Sequence, residues 1–308
     1  MATGLELNNK GACANNNVGY NNIKGCGYNF KNTITLWRTP ADFEFDLTQE
    51  FDADYIESLQ LAGNLSVITK ISDFPENGTD PLIETLPDNT EIDAGDAKYK
   101  YSPVFAENAD IYFNMLLGYL EGQGNNRFVF IDAAGNLMWT KGTDETKARG
   151  FLTSRTKRGK FTLQSAGVGQ KVTLDFQLAN TYEFEDNSTM INNDLLSFDP
   201  RLIEAITQAK IIYTAVPSDN DTTVTVSAKY ARGLDTFVTG ATNVADWKVS
   251  VNGTDVTVSN VAEASDVYTI TIPSLATDDI VNTSFNGVVK IDGDGLYRSF
   301  TASATTVA

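Results

Sequence analysis

Val172, Leu174, Phe176 and Leu178 alternate with Thr173, Asp175 and Gln177. A hydrophobic period of two is that of an extended strand with one buried face, and it excludes an amphipathic helix over the same residues. A second signal lies upstream, in Phe128-Val129-Phe130-Ile131-Asp132, the turn Ala133-Ala134-Gly135-Asn136, and Leu137-Met138-Trp139-Thr140-Lys141. Gly135 and Asn136 suit the positive φ of a tight connection, and the flanks carry the aromatic and branched residues that favour a pleated surface. Residues 128–186 therefore predict a twisted antiparallel sheet carrying a charged loop over 141–160.

The rest of the first 208 residues extends this sheet. Thr33 to Arg38 alternate and predict a strand ending at Pro40, which has no N–H for a ladder. Phe43-Glu44-Phe45-Asp46-Leu47 repeats the alternation. Asp52 or Asp54 can cap a short helix running to Leu61, with Gly63 as its stop, and Leu65 to Ile71 returns to strand. Residues 72–97 hold three prolines and a run of Asp and Glu that predicts an extended, solvated loop, since the spacing fits no calcium loop. Lys98 to Val104 predicts a short strand. A helix is expected within 106–122, capped by Asn108 or Asp110, with Ile111, Met115, Leu116, Tyr119 and Leu120 on one face. Residues 1–31 are rich in Asn and Gly and read as an arm or loop, with Tyr20, Ile23, Tyr28 and Phe30 as apolar anchors.

From Asn187 the pattern changes. Pro200 to Ala209 predicts a brief helix, and from Ile211 short alternating runs recur at 210–214, 222–230, 247–251, 255–258, 267–272 and 288–298, separated by turns such as Asn252-Gly253 and Asp292-Gly293-Asp294-Gly295. Many short strands in about 100 residues is the composition of an immunoglobulin-like sandwich, with Trp247 as a core residue and without the usual Cys pair. The expectation is a mainly β chain. An antiparallel β-sandwich or barrel-like domain with one or two helices (1–208) precedes an immunoglobulin-like β-sandwich (209–308).

Composition narrows function. There is no His among the 308 residues, which removes Ser-His-Asp and Cys-His nucleophile activation and His-zinc chemistry. Cys13 and Cys26 stand alone and are expected as free thiols in a reducing compartment. A net charge of −17 argues against general nucleic-acid binding, although an acidic wall lets a polyanion pass without sticking. No signal-peptide pattern opens the sequence, no window has the length of a membrane span, and synthesis in a cytoplasm is expected. No cofactor, metal site or catalytic residue is indicated, and a carboxylate enzyme is the weakest of the functions considered.

Against the acidic balance, residues 141–160 concentrate Lys141, Lys147, Arg149, Arg155, Lys157, Arg158 and Lys160. These read either as phosphate or DNA contacts or as an assembly face for the acidic surface of another copy. Without interleaved aromatic platforms the assembly face is favoured. Asp80, Glu84 and Asp88 of the acidic segment are the matching interface candidates.

Three features together resemble virion proteins of tailed phages from Bacteroides-type hosts. They are the helix followed by Gly63-Asn64-Leu65 and Ile71-Ser72-Asp73-Phe74, the Phe130–Asn136 hairpin, and the Lys171–Leu178 strand. A helix-bearing sheet domain followed by an immunoglobulin-like appendage is also similar to the tail tube proteins of long-tailed phages. The resemblance implies homo-oligomeric rings, hexameric and stacked into a tube. Double-stranded DNA would pass through without specific binding, other virion proteins would be partners, no membrane would be involved, and the location would be the virion. It identifies no functional residues. A capsid decoration or head-fibre protein and a carbohydrate-binding adhesin remain the alternatives.

Overall fold

The computed structural model describes residues 32–80, 82–85, 91–95, 97–107, 109–122, 125–165, 169–232, 236–291 and 295–308. The N-terminal arm with Cys13 and Cys26, Asp88, and the turn residues 292–294 lie outside these. The chain forms two compact units. The first comprises the described residues up to Glu57 with Asn64–Ile203, the second Ser58–Gly63 with Glu204–Ala308. Both are mainly β, built of sheets that are antiparallel apart from one strand pair.

In the first unit the strands are β1 (Thr33–Pro40), β2 (Phe45–Asp46), β3 (Ser66–Ile68), β4 (Leu82–Thr85), β5 (Glu91–Gly95), β6 (Lys100–Tyr101), β7 (Val104–Phe105), β8 (Asn126–Asp132), β9 (Leu137–Lys141), β10 (Lys147–Arg149), β11 (Phe151–Arg158), β12 (Val172–Leu178) and β13 (Ser188–Ile191). The helices are the first half of α1 (Ala53–Leu61), which from Ser58 is counted with the second unit, together with α2 (Ile111–Gly118) and α3 (Thr181–Glu185). An 11-stranded sheet runs β2-β10-β9-β8-β11-β12-β6, with β1 on β8 and β3, β13 on β9 and β7 on β12. Its centre is β8. One edge of β8 is taken by β1 along its length. The other is shared, with Arg127 and Phe128 paired to β11 and Phe130 and Ile131 paired to β9. The fork curls the sheet into a half-barrel. Gly150 sits at the fork, where an added Cβ would lie 2.8 Å from the Phe128 backbone, so a side chain there would force the strands apart.

Every residue of β8 is buried, because the sheet is covered on both faces. Phe128 and Phe130 join Leu36, Phe74, Tyr101, Phe151 and Phe176 in one core. On the opposite face Trp139 packs against Phe45 (5.4 Å between ring centroids) and Phe51 (5.5 Å), and Trp37 stacks on Phe198 at 6.5 Å. Fully burying each such ring contributes about 1.5–3 kcal/mol. The hairpin turn forms as expected. The Asp132 carboxylate accepts from the amides of Ala134 and Asn136, both at 2.9 Å, and Gly135 has φ +86°. In β12, Val172, Leu174, Phe176 and Leu178 are the buried residues.

Three expectations change. The described residues of the 72–97 segment are paired and do not form a solvated loop. Asp73, Glu76 and Thr79 bridge to Val104, Tyr101 and Lys98, and β4 pairs with β5 as a hairpin. Branched residues at 83, 85 and 92 give the strands their propensity despite the carboxylates. Helix α2 is capped by Asp110 as read, its carboxylate accepting from the Phe113 amide at 2.6 Å, but it buries a different face. Leu117 is buried and Phe113 and Leu120 pack on the core, whereas Ile111, Met115 and Tyr119 are 74%, 42% and 69% exposed. The helix is apolar almost all round, so its periodicity does not choose the face. The contact of Phe113 with Phe105 does, at 5.1 Å. Finally, Pro200–Leu202 makes a single 3-10 turn capped by Asp199, and the residues after it enter a strand.

The second unit is a two-sheet sandwich. Its strands are β14 (Thr207–Tyr213), β15 (Thr223–Tyr230), β16 (Trp247–Val251), β17 (Thr254–Val256), β18 (Asn260–Ala264), β19 (Val267–Thr271), β20 (Ile280–Phe285), β21 (Val288–Ile291), β22 (Gly295–Phe300) and β23 (Ala302–Thr305). The sheets run β18-β19-β15-β14-β22-β21 and β17-β16-β20-β23, with β14 and β22 parallel and the other pairs antiparallel. Trp247 is the core residue the sequence indicated, 4.9 Å from Phe285 and 5.0 Å from Tyr268, with its indole N–H donating to the Ala241 carbonyl at 2.8 Å. The Tyr213 hydroxyl links the sheets by donating to the Val281 carbonyl at 3.0 Å.

Candidate assembly face

The strand alternation that buries Phe176 turns Asp175 and Gln177 to the other side of the sheet. Gln177 is in register with Arg155 on β11 and with Lys100 on β6, and Asp175 is in register with Lys157. Lys100, Gln177 and Arg155 thus form a row across three strands, roughly 10 Å from end to end at the usual strand spacing. The bulge between Thr153 and Arg155 keeps Thr156 inward while Arg155 and Lys157 stay exposed. Together these residues line a shallow groove of about 120 Å³. It carries three cations and one carboxylate. Among the described residues, no carboxylate lies within ion-pair distance of Lys100, Arg155 or Lys157.

The other basic candidates are committed to the chain's own carboxylates or lie elsewhere. Arg149 enters a buried cluster. Its guanidinium meets Glu183 at 3.2 Å and Glu44 at 3.8 Å, and Arg127 meets the same Glu183 at 3.2 Å. Arg127 also donates to the carbonyls of Ala41 (2.6 Å) and Gly150 (2.8 Å). Burial pulls the Arg127 guanidinium below its ordinary value, with Glu183 acting the other way. It remains cationic, as arginine does in proteins. This cluster ties β8, β10 and α3 together and is a structural device. Arg158 pairs with Glu121 at 3.3 Å and also donates to the Asn114 carbonyl of α2, so the exposed ridge of Ile111, Met115 and Tyr119 flanks the basic strand. Lys147 lies 3.9 Å from Asp144. Lys141 is half-buried at the end of β9, and Lys160 is exposed beyond β11. Asp80 is exposed, and Glu84 falls in β4.

Two participants were missed from sequence. Lys100 is 55 residues before Arg155 and reaches the face only through the β6–β12 register. Glu183 is one of several acids between 183 and 186, and nothing local in the sequence distinguishes the one that is buried. Tyr99, beside Lys100, donates to the Glu185 carboxylate at 2.6 Å, and this bond raises its hydroxyl pKa to about 12. No protein-family model matches the chain, and no curated protein matches it.

Proposed function

We propose that this chain is a self-assembling structural subunit of a virion, of the tail-tube kind, whose copies join into rings that stack around a DNA channel. The observation that carries this reading is the exposed row Lys100–Gln177–Arg155 with Lys157, three cations with Asp175 as the one carboxylate lining their groove, on a chain of net charge −17. Among the described residues these cations make no ion pair within the chain, and a second acidic copy is a natural complement to them. The half-barrel sheet supports the reading as a wall element whose strands can align around a lumen, and the separate sandwich unit supports it as an appendage. A net acidic subunit also suits a channel that must release DNA.

Negative-stain electron microscopy and sedimentation of the full chain at high concentration test the reading. Rings or hollow tubes are expected. Discrete monomers or trimers that bind preformed capsids would replace it with the head-decoration alternative.

A further inference from the structure

The basic groove lies at one end of the 11-stranded sheet, on β11, β12 and β6, and the opposite charge collects at the other end. From Thr39 to Thr69 the chain has seven carboxylates and no Lys or Arg, and this stretch supplies β2, the terminal strand of the path that runs to β6. Asp42, Glu50 and Asp54 are exposed, and the turn before β10 adds the exposed Asp144 and Glu145. Pairing of Asp46 with Lys147, and of the Leu47 amide with the Thr146 carbonyl at 2.9 Å, brings the two stretches together. The Thr48 and Thr146 hydroxyls donate to Asp46 and Asp144, each at 2.6 Å, and hold these carboxyls below the usual carboxylate range. Among the described residues, Lys147 is the one cation within ion-pair distance of these six acids, 3.9 Å from Asp144.

Resting on the self-assembly reading above, we propose that the acidic β2–β10 end of one copy docks on the Lys100–Arg155–Lys157 groove of the next. Five strand steps separate β2 from β12, about 24 Å along the sheet at the usual spacing, and among the described residues no ion pair joins the two ends. A carboxylate of the acidic end therefore reaches the groove from another copy. The contact is made by side chains and not by strand addition. The outer edge of β6 is already taken, with the Asn77 amide on the Lys100 carbonyl at 2.7 Å, and the Asp46 amide of β2 donates to the Tyr55 hydroxyl at 3.0 Å. The two surfaces are different parts of the molecule, so each copy offers one of each. Such head-to-tail contacts either close into a ring or continue as a filament.

The test uses full-length chains carrying R155E/K157E, E50K/E145K or all four changes, followed by sedimentation velocity at about 50 mM and about 500 mM salt, a range over which the Debye length shrinks from ~14 to ~4 Å. Glu50 and Glu145 make no hydrogen bond or ion pair among the described residues, so replacing them spares the fold. Wild type is expected to assemble at low salt and to dissociate at high salt. Each double variant should lose affinity on the order of 100-fold. The four-fold variant swaps the two surfaces at an unchanged net charge of −17 and should recover about tenfold or more of that loss. Circular dichroism and melting confirm the fold, with R155Q/K157Q and E50Q/E145Q in place of a variant that fails that check. If wild type assembles and either double variant assembles equally well, or the swapped chain does no better than the double variants, the pairing is overturned and self-assembly stands. If wild type remains monomeric at both salt concentrations, the self-assembly reading itself falls. Retention of a short DNA duplex by wild type, lost in R155E/K157E while assembly persists, would reassign the groove to a polyanion.

Discussion

Replacing Glu183 by Gln removes the negative charge between two guanidiniums while keeping the side chain's shape. In the native chain this carboxylate accepts from Arg127 and from the Leu152 amide at 3.1 Å and forms an ion pair with Arg149, and the Arg127 and Glu183 side chains are only 6% and 8% exposed. Breaking a buried ion pair by neutralising one partner costs about 3–5 kcal/mol, because the other charge stays buried. Here the lower end applies. Arg127 keeps the Ala41 and Gly150 carbonyls, and Arg149 keeps Glu44. A loss of about 3 kcal/mol corresponds to a fall of roughly 6–12 °C in the melting temperature of a unit this size. Differential scanning calorimetry of the full chain should show it in one of two transitions, with the sandwich transition unmoved. The double variant R127M/E183L should recover much of the loss, since a well-packed apolar pair is often neutral or better. A drop below about 1 kcal/mol in E183Q would show that the cluster is solvated and would refute the argument from burial.

Three further outcomes follow from single residues. Trp247→Ala should destabilise the sandwich unit alone by about 3–5 kcal/mol, read from its own unfolding transition, because it empties the space between Tyr268 and Phe285. Gly135→Ala should cost about 1–2 kcal/mol in denaturant midpoint, since the residue sits at φ +86° and its Cβ would come within 2.9 Å of the Asn193 side chain. Tyr99 remains protonated in the folded chain until about pH 12, whereas an unfolded tyrosine ionises near 10. Its contribution is therefore fully present below pH 10 and lost as pH rises through about 12. Spectrophotometric titration at the phenolate band should show one fewer late-titrating tyrosine in Y99F, and an earlier transition for Tyr99 in E185Q.

What the sequence revealed was whatever depends on local alternation and turn chemistry. The β12 pattern, the Asp132–Asn136 turn, the Asp52 and Asp110 caps and the place of Trp247 all rest on residues a few positions apart. Features decided by distant pairing stayed hidden. The buried face of α2 depends on Phe105 in a strand before it, and the strands β18, β20 and β23 have weaker patterns that pairing completes. The candidate face was half legible. Arg155 and Lys157 stood out as part of a basic run, yet that run divides by structure into cations that fold the chain and cations that do not.

That division is the reason to look outward from the molecule. Arg127 and Arg149 hold Glu183, Arg158 holds Glu121, Arg201 holds Asp199 at 2.6 Å, and Lys248 lies 2.9 Å from Asp255. In an acidic chain a cation finds a local partner easily, and these do. Lys100, Arg155 and Lys157 are gathered from two distant stretches of sequence onto the two strands that flank β12, with Asp175 the one carboxylate lining their groove. Holding like charges this close raises the free energy of the isolated subunit, and an opposite surface that arrives later recovers it as binding. If assembly is what the face serves, neutralising it as R155Q/K157Q should leave the monomer as stable as wild type or slightly more so, while weakening association. A stability loss in the isolated monomer would instead place these cations among the groups that hold the fold.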